Sequence, residues 1–143
     1  VSPGGYPKDI NLYQAQKALD NAMPAVRPGG AIILAAQCSE GFGEDRFREW
    51  MLKAQDHREI LDRAGQGFVL GAHKAVAYAR AAKRASLYLV SDQPQGTVGH
   101  LLRQERCLSD ALEHAFGQLG EDAMVWVMPL GGSTRPRLDR SGG

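Results

Sequence analysis

The chain has 143 residues, of which 43% are hydrophobic and 23% charged, and its formal net charge is +1. One domain of that length buries a core without disulfide or metal staples. So even a charge balance argues against a phosphate-backbone footprint, and no apolar run is long enough to cross a bilayer.

The opening Pro3-Gly4-Gly5-Tyr6-Pro7 is turn chemistry, since Pro fixes φ and Gly admits turns. Asp9 or Asn11 then caps a helix carrying Leu12, Ala15, Ala18, Leu19 and Ala22, which Pro24 and Pro28-Gly29-Gly30 end. Ala31 to Ala36 is a short continuous apolar run, as expected of a strand buried on both faces in a parallel sheet. Helical patterning returns over 44–54, 57–64 and 72–84, and Ser86 to Ser91 reads as a second strand. Ser109 is expected to cap a helix over 110–119 closed by Gly120, and Ala123 to Leu130 reads as a third strand before a Gly/Arg/Pro-rich tail that is expected to fray. Strands alternating with helices predict an α/β fold, a small layered domain with a largely parallel sheet flanked by helices. Ligands in such sheets sit beyond the carboxyl ends of strands, which singles out the loops 37–43, 91–99 and 131–136.

Cys38 and Cys107 have no CxxC partner, so neither a disulfide framework nor a zinc site is suggested. With no signal peptide at Val1-Ser2-Pro3, a cytoplasmic location fits. The chain begins at once on structural residues and reads as a piece of something longer.

The segment most informative for chemistry is Tyr13-Gln14-Ala15-Gln16-Lys17. On a helix, Tyr13 and Lys17 stand at i,i+4 and Gln14 and Lys17 at i,i+3, so a phenol, a carboxamide and an ammonium share one face. That trio suits an anionic hydroxy acid, the ammonium pairing with its carboxylate and the amide and phenol bonding its oxygens. A solvated polar stripe on an amphipathic helix fits the same pattern. His57, His100 and His114 have no ligand-type spacing, and no metal site is expected on this chain. Gly131-Gly132-Ser133-Thr134 allows close backbone approach to a phosphate, a weak signal.

Residues 4–22, Gly-Gly-Tyr-Pro-Lys-Asp-Ile-Asn-Leu-Tyr-Gln-Ala-Gln-Lys-Ala-Leu-Asp-Asn-Ala, resemble the segment that opens the second domain of the nickel-pincer-nucleotide-dependent lactate racemase family. The similarity continues through Gly29 to Ala36, Cys38-Ser39-Glu40-Gly41-Phe42-Gly43, Gly71-Ala72-His73-Lys74-Ala75 and Pro129 to Thr134. By that resemblance residues 1–143 are a carboxy-terminal domain, and the amino-terminal domain that bears the cofactor lies outside the chain. The family's enzymes are isomerases. A nickel-pincer nucleotide tethered to a lysine of the first domain takes a hydride from a 2-hydroxy acid and returns it to either face, and two first-domain histidines accept the hydroxyl proton. The second domain's Tyr-Gln-x-x-Lys group matches Tyr13, Gln14 and Lys17. Gln14 and Lys17 are thereby implied as catalytic, holding the carboxylate and polarising the intermediate, with Tyr13 lining the pocket.

Ser39, Glu40, His73 and Lys74 are implied as further candidates for cleft or cofactor contacts, though a helix cap for Glu40 and a surface position for His73 and Lys74 fit equally. The implied partners are the protein's own amino-terminal domain and a small 2-hydroxy acid, with no nucleic acid and no membrane. The chain alone, without the tethering lysine and the histidine pair, is expected to be an inactive half of a racemase or epimerase. Two other readings stand beside this: a stand-alone module of the same fold binding a small anion or nucleotide, and an oligomerisation domain marked by a large exposed apolar patch.

Overall fold

Ile32 and Leu34 point to one side of a short apolar strand and Ala31, Ile33 and Ala35 to the other, and both sides are covered in the folded chain. The structure, a computed structural model, describes residues 1–137. The end of the tail expected to fray, 138–143, lies outside the described residues.

In chain order the elements are α1 (Leu12–Ala22), a 3-10 turn (Met23–Ala25), β1 (Ala31–Ala35), α2 (Asp45–Lys53), α3 (His57–Ala64), α4 (His73–Arg84), β2 (Ser86–Val90), β3 (Arg103–Glu105) and α5 (Leu108–Leu119). The strands form one parallel sheet in the order β1-β2-β3, with Ile33 opposite Tyr88 and Tyr88 opposite Arg103. The fold is therefore the small α/β layered domain that the sequence predicts.

Most of the core lies on one face of the sheet. There Ile32, Leu34, Leu87 and Leu89 meet Leu12 and Leu19 of α1, Phe47 and Met51 of α2, Ile60 of α3 and Tyr78 of α4. On the other face Ala111 and Ala115 of α5 pack on Tyr88, with Ala31, Ile33 and Val90 at the rim. Small alanines let α5 approach the sheet closely, and the helix leaves much of that face open.

Three helices begin within a residue or two of the predicted starts because their caps are local, and α4 does so without a side-chain cap. Asn11, Glu44 and Asp56 each accept from a backbone N–H of the first turn of α1, α2 and α3. Ser109 does not cap α5. That helix starts two residues earlier than predicted, after Cys107, and its amino end has no side-chain cap.

The predicted third strand is a correction. Ala123 to Leu130 forms no strand; Met124, Trp126 and Val127 are 80%, 70% and 81% exposed. A strand needs a neighbour for its backbone, and among the described residues only Met128 finds one, accepting from Ser2 N–H at 3.0 Å. The third strand is instead Arg103–Glu105, too short and polar to show a period of two.

Candidate functional site

The loop after β1 is lashed to the start of α1. Cys38 N–H donates to Asp9 O and Glu40 N–H to Ile10 O, both at 2.8 Å. In return Leu12 N–H donates to Gly41 O at 2.8 Å and Tyr13 N–H to Phe42 O at 3.1 Å, while Asn11 Oδ1 accepts Gln14 N–H at 2.9 Å. The first-turn amides of α1 are all used internally, so this helix end offers no anion site of its own. Gly43 is required here: its φ is 84°, and any Cβ would overlap the Asn11 carboxamide.

These ties hold one face of α1 against α4. The buried Tyr78 hydroxyl of α4 donates to Leu12 O at 2.9 Å, and Lys74 Nζ donates to Tyr13 O at 2.7 Å while lying 4.1 Å from the Tyr13 ring centroid. The Tyr13 ring meets Phe47 and His73 edge-on, at centroid distances of 5.8 and 6.0 Å. Phe68, 80% exposed in the loop before α4, stacks on His73 at 6.4 Å.

Four of the predicted site residues thus come together: Tyr13, Lys17, His73 and Lys74. Burial lowers the pKa of the Lys74 ammonium; Asp20 draws it back up, and the positive charge of Lys17 pushes it down again. The two cations lie within each other's field and that of Asp20, and neither is in a salt bridge among the described residues. Gln14 and Lys17 stand exposed, and no hydrogen bond to another described residue engages the end of either side chain.

Ser39 and Glu40 are exposed in the 37–43 loop but belong to a different neighbourhood. Glu40 lines an open concavity with Glu44, Asp45, Arg48, Gln93 and Thr97, an acidic rim that does not include Tyr13, Lys17 or Lys74. The amides of Gly131 and Gly132 are not free for a phosphate, because they donate to Ser2 O at 2.8 Å and Pro3 O at 3.2 Å. Among the described residues no group of three or more His, Cys, Asp or Glu is placed to hold a metal ion, and no helix is long and apolar enough to cross a membrane.

Sequence reasoning missed two members of the cluster. Phe68 sits in a glycine-bounded loop with no periodic signal, and Asp20 is one helical turn from Lys17, where an ordinary surface acid is also found. The i,i+3 spacing of Lys17 and Asp20 was the available clue.

The chain matches the family described as the lactate racemase C-terminal domain over residues 1–134. It is 31% identical over 134 residues to the lactate racemase of Lactiplantibacillus plantarum, covering 90% of this chain and 32% of that protein. It is 36% identical over 63 residues to the lactate racemase of Thermoanaerobacterium thermosaccharolyticum, covering 44% of this chain and 15% of that one. The structure of the lactate racemase apoprotein from the latter organism superposes with a TM-score of 0.90 at 26% identity, over 96% of this chain and 34% of that chain. The chain thus spans no more than about a third of the length of these relatives.

Proposed function

Because the chain belongs to the lactate racemase C-terminal domain family, we propose that it is the substrate-holding half of a racemase or epimerase acting on a 2-hydroxy acid, completed by the amino-terminal domain of the same polypeptide. The observation that carries this reading is the Lys74 ammonium held over the Tyr13 ring on the α1–α4 face, within the field of the exposed Lys17 of α1. An anionic substrate relieves the repulsion between them.

In this reading Lys17 pairs with the substrate carboxylate and Gln14 donates its amide to an oxygen at carbon 2. Lys74, held by Tyr13 O, adds a second positive charge whose position is fixed before substrate arrives. Tyr13 and His73, packed edge to face, form a wall. The carboxylate stays anionic whatever happens at carbon 2, so the same cations hold the molecule through both halves of an inversion and keep the flat keto acid from escaping.

The nickel-pincer nucleotide implied by the family would supply reversible hydride acceptance when bound. Among the described residues the cluster around Tyr13 holds no set of three or more His, Cys, Asp or Glu, so no residue of this chain is assigned as a ligand, and in this reading the cofactor is carried by the other domain. By itself the chain is then inert.

The test is racemisation by the cofactor-loaded full-length protein, wild type against Lys17→Ala, over a panel of 2-hydroxy acids. The variant should lose about 2–4 kcal/mol of transition-state stabilisation, roughly 30- to 1,000-fold in turnover, while staying folded. A variant as active as wild type removes Lys17 from the site. Tight, micromolar binding of a hydroxy acid by the chain alone would instead favour a stand-alone anion-binding module.

A further inference from the structure

The backbone around Val1 shows where the sheet continues. Val1 N donates to Ile33 O at 2.7 Å, and Ala35 N–H donates to Val1 O at 2.9 Å. That is the bonding of a parallel bridge, and it places Val1 beside the outer edge of β1. On its far side the same short stretch meets the end of the 123–130 segment: Ser2 N–H donates to Met128 O at 3.0 Å, and Gly131 N–H returns to Ser2 O at 2.8 Å. Residue numbers rise together on both sides, so all three stretches run parallel, with residues 1–3 in the middle.

Both stretches that wall residues 1–3 extend further back in sequence. β1 continues back through Ile33 to Ala31, whose outward backbone groups have no strand beside them among the described residues. In the other, leading up to Met128, Met124 to Val127 contains no helix or turn, and none of its N–H groups donates to another described residue. Met, Val, Trp and Val with N–H groups unpaired among the described residues have the composition of a strand.

We propose that the residues directly preceding Val1 in the parent polypeptide form a parallel strand between β1 and 124–128, completing a five-stranded sheet. The occupant is fixed by chain direction, since whatever precedes Val1 leaves from between these two walls. A length about three times that of this chain in the L. plantarum relative leaves ample polypeptide to supply it. The proposal rests on the functional reading only in taking this chain as part of a longer one; it is independent of Gln14, Lys17 and the reaction. It also accounts for the strand-like sequence of 123–130, whose hydrogen-bonding partner lies outside these 143 residues.

The test uses the full-length polypeptide. Amide hydrogen exchange at Met124, Trp126 and Ile33, the amides on the Met128 side and on the outer edge of β1, should be at least about 100-fold slower than for an unprotected chain, as for paired sheet amides. Exchange at the unprotected rate overturns the proposal. The identity of the neighbour is read in a Cys107→Ser background, with Val125→Cys and a cysteine at each of the three residues before Val1 in turn, joined by a short bifunctional maleimide. Linkage within one polypeptide is expected. Linkage only between two polypeptides, or protection of Met124 and Trp126 with no linkage, assigns the strand to another partner and overturns it. Neither readout involves racemisation, so failure here and failure of the functional reading are separable.

Discussion

The hydroxyl of Tyr78 is a sensitive probe of how α1 is held. It donates to Leu12 O at 2.9 Å from a fully buried ring, and Leu12 opens the helix that carries Tyr13, Gln14 and Lys17. Tyr78→Phe keeps the ring, including its stacking on Phe47 at a centroid distance of 5.6 Å, and removes the hydrogen bond alone. Leu12 O still accepts an amide from the next helical turn, so no orphaned acceptor is left and the loss should be that of one ordinary bond, about 1 kcal/mol. For a domain of this length the unfolding entropy is roughly 0.3 kcal/mol per degree, so Tm should fall by about 3 °C. Urea unfolding followed by circular dichroism should show a lower midpoint at unchanged slope. A change below about 0.3 kcal/mol would show that the bond contributes nothing net. A loss above about 3 kcal/mol would mean that Leu12 O has no second donor. Either result refutes the picture of one ordinary bond to a carbonyl that keeps a second partner.

Cys38 is buried and its thiol pKa is pushed from 9.0 up to about 12, first by burial and then by Asp9 and Asp92, whereas Cys107 is exposed. Iodoacetamide at pH 8 should therefore modify Cys107 alone in the native protein, as read by mass spectrometry, with Cys38 reacting only after unfolding. Because the folded thiol keeps its proton after the unfolded one has lost it, the stability from this group is intact below pH 9 and falls as pH rises toward 12. Cys38→Ser should flatten that limb of a stability–pH curve. Gly43→Ala should cost at least about 2 kcal/mol in urea unfolding, from a φ of 84° and overlap with Asn11, and Asn11→Ala should recover part of the loss in the double variant. Lys74→Met in the full-length enzyme should raise KM about tenfold, ~1.4 kcal/mol, with little change in kcat, if its charge helps to hold the substrate anion.

How much of the fold was legible depends on whether the information was local. The starts of α2 and α3 follow from Glu44 and Asp56, whose carboxylates accept the first-turn amides directly. The apolar runs at 31–35 and 87–90 identified β1 and β2 because both faces of these strands are packed at least in part. Both errors about strands concern pairing, which is not local. Arg103–Glu105 is a strand only because β2 lies beside it, and its buried Glu105 is paired with Arg103 at 2.7 Å and lies 2.7 Å from His114 Nδ1, so no apolar signal marks it. Ala123 to Leu130 has the composition of a strand and lacks the neighbour.

The site shows the same division. The helical spacing put Tyr13, Gln14 and Lys17 on one face, and α1 presents them so, with Tyr13 partly covered and the other two open. That Lys74 reaches this face and Ser39 and Glu40 do not was beyond sequence spacing, because 61 residues separate Lys74 from the carbonyl it bonds. The charge balance of the cluster argues for the need of a second half. Asp20 alone acts against two cations, and one of those, Lys74, is already partly withdrawn from water. Asp20 acts on Lys74 more strongly than Lys17 does, and an anion bound in the proposed site would add to that favourable charge. An exposed face like this gives that anion little shielding, so the attraction is weak until another surface excludes water from it. In the proposed reading, Lys17 and Lys74 supply the charge and the enclosure comes from the domain that lies outside this chain.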